Sequence, residues 1–290
     1  MSDTPEWFWQ AVDEKPNAHS IEVEDCDINY LTWSSGEGRE AKPGLLFVHG
    51  HNAHAHWWDF ISPSFSAEHQ TVAMDMSGMG DSGHRDDYSN DLYAKEIVAT
   101  ADAAGLGEDA FLIAHSFGGM QAIRCMAQNP GRFAGLILVD SGVRHPDDIK
   151  ERDPQLERLS RAKVYPEREI AIARFRLQPP QTCDNQYLVD HIARNSVEYD
   201  DGWVWKFDEE HMMRMKFEGD LAEDLKAITG KLALIYGENS ESFKARSAQY
   251  MQELKPDMTV IELKDAQHHL FLDQPLAFIE EVKGLIVGWS

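Results

Sequence analysis

Residues 110–119 read Ala-Phe-Leu-Ile-Ala-His-Ser-Phe-Gly-Gly, and this stretch decides the fold. The apolar run before His115 predicts a buried strand, and the residues from Phe117 to Gln128 predict a helix that ends before Asn129-Pro130-Gly131. Ser116 therefore lies in a sharp strand-to-helix turn, with the small residues Ala114 and Gly118 two positions to either side. This context favours a nucleophilic serine over a serine that merely caps the helix.

Predicted strands and helices also alternate before and after this turn. A hairpin over His19–Trp33 precedes it, and a helix is predicted over Asp91–Ala104. Alternation of helices with uninterrupted apolar strands is typical of a mostly parallel central sheet flanked by helices, the α/β class. The predicted parallel strands are Gly44–Val48, Thr71–Asp75, Ala110–Ala114, Gly135–Val139, Lys231–Tyr236 and Asp257–Leu263.

One interval breaks the rhythm. About 90 residues separate the strand that ends at Val139 from the strand that begins at Lys231, whereas ordinary connections have about 2–6. The interval is charged and rich in proline, and it looks helical in pieces. We predict a first core segment at 1–142, a helical cap at 143–218 and a second core segment at 219–290.

Composition excludes several classes of protein. With 290 residues and 42% hydrophobic residues, the chain is long enough and apolar enough for a large globular core. The net charge of −23 disfavours binding to nucleic acid or to anionic membranes. No apolar run reaches the roughly 18 residues of a membrane span, and the N-terminus lacks the features of a signal peptide, so a cytoplasmic protein is expected. Three distant cysteines, Cys26, Cys125 and Cys183, indicate reduced thiols.

Four motifs in this order resemble the α/β-hydrolase family, and the resemblance covers nearly the whole chain. They are Leu46-Phe-Val-His-Gly50, Asp75-Met-Ser-Gly-Met-Gly-Asp-Ser82, the turn at Ala114–Gly119, and His268-His-Leu-Phe-Leu-Asp-Gln-Pro275. The resemblance implies a capped α/β-hydrolase fold without a cofactor. It also implies a catalytic triad with Ser116 as nucleophile and His268 as base, in preference to the adjacent His269.

The acid of the triad departs from the family pattern. The usual position, three residues after Gly237, holds Ser240, which has no carboxylate. Asp140, directly after a predicted strand, matches the alternative position of some family members. A short side chain at a rigid strand end suits the orientation of a histidine. We therefore favour Asp140, with Glu238 and Glu241 as the alternatives.

Two further features concern the oxyanion hole and possible cofactors. The backbone N–H groups of His51 and Phe117 are expected to form the oxyanion hole. The loop after the first parallel strand contains three histidines, His51, His54 and His56, which could bind a metal ion. No cysteine or aspartate follows at the spacing of a zinc site, so no metal is expected. The spacing of Gly78, Gly80 and Gly83 is that of a dinucleotide motif, but a polar loop follows instead of a helix, which disfavours nucleotide binding.

The leading hypothesis is a serine hydrolase that cleaves a carboxylic ester of a small-molecule acyl substrate. A serine at position 116 disfavours the dehalogenase and epoxide-hydrolase branches, which need a carboxylate nucleophile. Hydrolysis of a C–C bond, a lactonase, a perhydrolase and a non-catalytic ligand receptor remain alternatives. Trp203, Trp205 and Phe207 either roof the substrate pocket or pack the cap onto the sheet. The sequence does not indicate an oligomeric state.

Overall fold

An eight-stranded sheet organises the computed structural model, which describes residues 4–33, 43–148 and 163–289. The strands of the model are β1 (Asn17–Glu22), β2 (Asp27–Trp33), β3 (Gly44–Val48), β4 (Gln70–Met74), β5 (Tyr88–Ser89), β6 (Phe111–His115), β7 (Gly135–Val139), β8 (Val197–Tyr199), β9 (Trp203–Trp205), β10 (Met215–Lys216), β11 (Lys231–Gly237) and β12 (Thr259–Leu263). The sheet order is β1-β2-β4-β3-β6-β7-β11-β12. Only the pairings of β2 with β1 and with β4 are antiparallel, so the predicted mostly parallel sheet is confirmed.

Helices cover both faces of this sheet. They are α1 (Glu6–Asp13), α2 (Pro63–Ser66), α3 (Asn90–Ala103), α4 (Phe117–Gln128), α5 (Arg168–Ala173), α6 (Gln186–Asn195), α7 (His211–Arg214), α8 (Leu221–Ala227), α9 (Ala245–Leu254), α10 (Leu270–Asp273) and α11 (Pro275–Trp289). Short 3₁₀ turns occupy Ala55–Trp58 and Pro146–Asp148. Among the described residues, none of the helices combines the length and the apolar character that crossing a membrane requires.

Alternation along the strands divides the apolar side chains between two cores. In β3, Leu46 and Val48 belong to the core under α3 and α4, whereas Leu45 and Phe47 belong to the core under α11. Successive side chains of a strand point to opposite faces, and every residue of β3, β6 and β7 is buried. Burial on both faces explains why these strands are uninterrupted apolar runs.

The insert between β7 and β11 differs in part from the predicted helical cap. Residues 149–162 of the predicted cap lie outside the described residues. The described remainder contains α5, α6 and α7, but also an antiparallel hairpin of β8 and β9. β-branched and aromatic residues on both sides of Asp200-Asp201-Gly202 favour this hairpin, and both Asp201 and Gly202 have positive φ. The insert is therefore mixed in structure.

The chain returns to the core at α8. Arg124 of α4 forms an ion pair with Asp224 of α8 at 3.0 Å, and the side chain of Leu225 is fully buried in the core under α4. Helix α8 thus packs against α4 over one face of the sheet. The thiols of Cys26, Cys125 and Cys183 are buried and free.

Candidate active site

Ser116 occupies a strained turn between β6 and α4. Its φ of 52° lies in the left-handed region, which is costly for a residue other than glycine. A Cβ atom on Gly118 would come within 2.2 Å of the carbonyl oxygen of His49, the residue that follows β3. Only glycine at position 118 therefore lets α4 begin so close to the sheet, and Ser116 is held at the sheet edge by this contact.

The three predicted side chains Ser116, His268 and Asp140 meet at this edge. The hydroxyl of Ser116 lies 2.9 Å from Nε2 of His268, and Nδ1 of His268 lies 2.6 Å from Oδ2 of Asp140. A carboxylate can only accept, so the proton of the neutral imidazole resides on Nδ1. Nε2 is then free to accept the proton of the Ser116 hydroxyl. This is the geometry of a nucleophile, a base and an orienting acid.

The carboxylate of Asp140 is fixed by two further donors. The backbone N–H of Gly237 donates to Oδ1 at 2.9 Å, and the hydroxyl of Ser240 donates to Oδ2 at 2.6 Å. Asp140 itself directly follows β7 with a φ of 46°. Ser240, at the position where the family pattern has an acid, thus donates to the carboxylate that follows β7.

The two alternative acids do not contact His268 in the structure. The carboxylate of Glu238 is exposed and accepts hydrogen bonds from Lys264 at 3.0 Å and from the N–H of Asp265 at 3.1 Å. Glu241 is also exposed. Glu238 and Glu241 are therefore engaged with the protein surface or with solvent.

The loop that carries His268 is held from two sides. The ring of His115 donates from Nε2 to the carbonyl oxygen of His268 at 3.1 Å. The carboxylate of Asp273 accepts the N–H of Gln267 at 2.7 Å, and burial raises the pKa of Asp273 to about 6. The acidic residue of the motif His268–Pro275 thus holds the loop that carries His268 in place.

His269, the neighbour of His268, is a packing residue in this structure. Its ring lies between those of Trp57 and His115, with centroids 5.2 Å and 5.3 Å away. Burial lowers the pKa of His269 well below its usual value, so the ring is neutral at pH 7.

The predicted oxyanion residues flank the nucleophile. Phe117 is the first residue of α4, where backbone N–H groups and the helix dipole favour negative charge. His51 follows Gly50 in the loop after β3 and lines both cavities that reach Ser116. A Cβ atom on Gly50 would lie 3.2 Å from Cβ of Ser116, so glycine allows this loop its close approach.

A buried hydrogen-bond chain ties the His51 loop to the insert. Nε2 of His51 lies 3.1 Å from Nδ1 of His211 in α7, and Nε2 of His211 lies 2.5 Å from the hydroxyl of Tyr93 in α3. Burial lowers the pKa of His211 to about 4, so its ring is neutral at pH 7. Sequence reasoning missed His211, because nothing in a local pattern places it opposite residue 51.

The histidines considered as metal ligands do not converge. His54 bonds to the hydroxyl of Ser196 at 2.8 Å, and His56 bonds to the carboxylate of Asp59 at 3.0 Å. A different group, His115, His268 and His269, has nitrogen atoms within 4.8 Å of one another. Both nitrogens of His268 are already engaged by Ser116 and Asp140 and are therefore not available to a metal ion.

The glycine-rich turn after β4 supports a buried carboxylate. Oδ1 of Asp75 accepts the N–H of Ala55 at 2.6 Å, and Oδ2 accepts the N–H of Asp81 at 2.9 Å. A Cβ atom on Gly80 would lie 2.1 Å from Oδ1 of Asp75. Gly80, part of the spacing that resembles a dinucleotide motif, thus leaves space for the carboxylate of Asp75. Asp75 in turn fixes the start of the 3₁₀ turn at Ala55.

Two cavities meet at Ser116 and His51. The Trp57 cavity has a volume of about 200 Å³, and its further lining residues include Gly50, Trp57, His115, Pro179 and His269. The Arg144 cavity has a volume of about 230 Å³, and its further lining residues include Met120, Arg144, Met212, Phe243 and His268.

The aromatic residues of β9 and its following loop do not roof either cavity. Within the described part of the chain, Trp203, Trp205 and Phe207 are absent from both linings. Trp205 instead packs inside the insert, with ring centroids 5.8 Å from Tyr165 and 6.1 Å from Phe175. Trp205 thus packs within the insert and matches neither predicted role, whereas Phe207 packs against the core under α3 and α4, as the second predicted role expects.

Comparison with known proteins gives the same fold and a related chemistry. Residues 45–281 match the model of a family described as the alpha/beta hydrolase family. The chain is 25% identical to an esterase of Mycobacterium tuberculosis over 270 residues, which cover 89% of this chain and 86% of the esterase. It is 26% identical over 264 residues to N-formylmaleamate deformylase of Pseudomonas putida, covering 80% of this chain and 89% of that enzyme.

A solved structure supports the fold over nearly the whole chain. The crystal structure of E-2-(acetamidomethylene)succinate hydrolase superposes with a TM-score of 0.78 and covers 94% of this chain and 99% of its own. Its sequence identity is 18%, so this likeness concerns the fold alone.

Proposed function

The chain belongs to the alpha/beta hydrolase family, and from this premise we propose that it cleaves carboxylic esters through an acyl-enzyme on Ser116. The observation that carries the proposal is the unbroken hydrogen-bond chain from the hydroxyl of Ser116 through His268 to Asp140. The 25% identity to a mycobacterial esterase along most of both chains supports the same reaction.

In the first half of the reaction, Nε2 of His268 takes the proton of Ser116 as Oγ attacks the ester carbonyl carbon. The imidazolium that forms is stabilised by the carboxylate of Asp140. The N–H groups of Phe117 and His51 are proposed to bind the oxyanion of the tetrahedral intermediate. His268 then returns its proton to the leaving alcohol, whose bond to carbon breaks.

In the second half, water replaces the alcohol. His268 again accepts a proton, now from water, and the hydroxide attacks the acyl-enzyme. Collapse of the second intermediate returns the proton to Oγ of Ser116 and releases the acid. C–C hydrolases and lactonases would use the same groups, so the distinction among these reactions lies in the substrate.

The non-catalytic receptor alternative rested on the missing acid at position 240. The hydrogen bond from Ser240 to Asp140 accounts for that serine within a complete chain of three groups. The arrangement therefore supports an enzyme over a receptor.

Hydrolysis of a p-nitrophenyl ester with a short acyl chain tests the proposal. We expect turnover in the wild type and its loss in Ser116→Ala. Ser64→Ala, in the remote helix α2, serves as the matched control and is expected to retain full activity. Equal hydrolysis by wild type and Ser116→Ala would contradict the proposal.

Cleavage of an N-formyl amide is a second candidate reaction. It is favoured by the 26% identity to N-formylmaleamate deformylase, which by its name removes a formyl group. A formyl group is small enough for the Trp57 cavity of about 200 Å³ beside Ser116. Release of formate from an N-formyl amide, compared with acetate release from an ester in the same assay, ranks the two reactions.

A further inference from the structure

The two cavities at Ser116 differ in their relation to the base. His268 lines the Arg144 cavity and is absent from the lining of the Trp57 cavity, which instead contains Gly50 and the loop after β3. In the proposed reaction, the leaving oxygen must receive its proton from Nε2 of His268. The leaving alcohol therefore extends into the Arg144 cavity, and the acyl group extends into the Trp57 cavity.

Arg144 is held at the Arg144 cavity by its neighbours in the chain. Gly142 has a φ of 131°, and a Cβ atom there would lie 2.5 Å from the side chain of Met251. Val143 is buried, and the N–H of His145 donates to the hydroxyl of Ser247 at 2.9 Å. The backbone on both sides of Arg144 is thus fixed, while its own side chain is exposed beside the cavity.

The guanidinium of Arg144 has no partner among the residues that the structure describes. Within residues 4–33, 43–148 and 163–289, it makes no ion pair and no hydrogen bond. The two acidic residues that follow Arg144 first in the chain, Asp147 and Asp148, pair with Arg246. The chain has 50 acidic and 27 basic residues, so a free arginine at a cavity is not explained by a lack of carboxylates.

The remaining walls of the Arg144 cavity are largely apolar. Phe117 and Met120 come from α4, Met212 comes from α7 of the insert, and Phe243 follows β11. The acidic residue of this lining, Asp140, is already hydrogen-bonded to His268. A ligand that matches these walls has an apolar body and one negative group that reaches Arg144.

We propose that the preferred substrates are esters whose alcohol half carries a carboxylate, separated from the ester oxygen by an apolar spacer and bound by Arg144. This deepens the proposed function and rests on it. The planar guanidinium matches a carboxylate in charge and in hydrogen-bond geometry. A phosphate dianion would retain a negative charge in an already acidic protein, so a carboxylate is the better match.

Two acetate esters with matched leaving groups test the proposal. The leaving group of 4-acetoxybenzoate is a phenol with a carboxylate, and that of 4-acetoxybenzamide is a neutral phenol of the same shape. We expect kcat/KM to be about tenfold higher for the carboxylate, as for a charge-assisted hydrogen bond at an exposed site. The ratio should fall as salt is added, because the arginine is exposed.

Variants of Arg144 separate its charge from its bulk. Arg144→Gln should abolish the preference, and Arg144→Lys should restore part of it. Arg174→Gln is the matched control, since Arg174 is exposed, has no ion pair among the described residues and does not line the cavity. A wild-type ratio of one or less, or an unchanged ratio in Arg144→Gln, would overturn the proposal.

A second ester pair tests the assignment of the two cavities. p-Nitrophenyl hemiglutarate places the carboxylate on the acyl half, and the p-nitrophenyl ester of 4-carbamoylbutanoate is its neutral match. We expect no Arg144-dependent preference for the charged acyl group. A preference that appears here and not in the acetate pair would overturn the placement of the leaving group.

Direct binding separates failure of this inference from failure of the proposed function. 4-Hydroxybenzoate, the free alcohol half, should bind about tenfold more tightly than 4-hydroxybenzamide in calorimetry, and Arg144→Gln should remove the difference. If no ester is hydrolysed but this difference in affinity is present, the proposed reaction is wrong, whereas carboxylate binding by Arg144 is confirmed. If esters are hydrolysed and the difference is absent, the anion site is wrong.

Discussion

At the scale of single residues, the proposed role of His268 as a base depends on Asp140. Its carboxylate accepts from Nδ1 of His268 and thereby selects the tautomer with a free Nε2. Asparagine at this position would present an N–H and favour the wrong tautomer. We expect Asp140→Asn to lower kcat by about 10⁴-fold, as in other triads of this type.

Stopped assays with a p-nitrophenyl ester measure this effect. Glu238→Gln is the control, because its carboxylate pairs with Lys264 on the surface. A large loss in Glu238→Gln or Glu241→Gln, with a mild effect in Asp140→Asn, would identify a different acid.

The hydroxyl of Ser240 accepts the N–H of Phe243 at 3.2 Å and donates to Asp140, and we expect it to affect the reaction through Asp140. Removing its hydroxyl in Ser240→Ala leaves one of the carboxylate's hydrogen bonds unmade, at a cost of about 1–2 kcal/mol in the free energy of unfolding. We expect kcat to fall about tenfold or less, while KM stays unchanged. Ser240→Thr keeps the hydroxyl and should keep most of the activity. Unchanged stability and kcat in Ser240→Ala would show that this hydrogen bond is unimportant.

Site residues in local motifs could be predicted from the sequence, whereas contacts between residues far apart in the chain could not. Ser116 and His268 lie in local motifs, and Asp140 directly follows a strand, so their positions at one sheet edge follow from topology. The hydrogen bonds of Ser240 to Asp140 and of His211 to His51 span 100 and 160 residues in the chain. Such contacts depend on the packing of loops and of the insert, which no local pattern encodes.

At the scale of elements, α4 depends on the absence of a side chain at Gly118. Alanine normally stabilises a helix relative to glycine by about 1 kcal/mol. At position 118, however, its Cβ would meet the carbonyl of His49 at 2.2 Å and push α4 away from β3. We expect Gly118→Ala to lower the free energy of unfolding by about 1–3 kcal/mol and to slow acylation of Ser116.

Gly284→Ala provides the helical control for this substitution. Gly284 lies in α11, and a Cβ atom there meets no atom within 4 Å. Urea denaturation should show that Gly284→Ala is neutral or stabilising. Equal effects of the two substitutions would mean that the close approach at His49 does not constrain the turn.

The elements of the sheet were predictable, and those of the insert were predictable only in part. Strands buried on both faces appear in the sequence as apolar runs bounded by polar turns, as in Gly135–Val139. The hairpin of β8 and β9 was missed because Val197–Tyr199 and Trp203–Trp205 are three residues each. Segments this short carry too few positions for a period of two to stand out.

At the scale of the whole molecule, buried neutral histidines make stability depend on pH. Burial lowers the pKa of five described histidines: His49, His54, His115, His211 and His269. In the unfolded chain, these groups bind protons near pH 6.5, whereas the folded protein keeps them neutral at lower pH. Their contribution is therefore present above about pH 6.5 and is lost as the pH falls.

Urea denaturation between pH 7.5 and pH 5 measures this loss. Each histidine that stays neutral should cost about 1.4 kcal/mol per pH unit below 6.5. His54→Gln should reduce the slope of the free energy of unfolding against pH by the equivalent of about one proton. Glutamine can still bond to Ser196, so the fold should be retained. A flat profile above pH 5 would contradict the assigned neutrality of these rings.

Covalent labelling shows whether Ser116 is an activated nucleophile. The protein and its Ser116→Ala variant are treated with a fluorophosphonate probe, and the intact masses are measured. We predict a single adduct on the wild type, located at Ser116, and none on the variant. A folded wild-type protein that takes up no probe, or an equal adduct on both proteins, would contradict the claim.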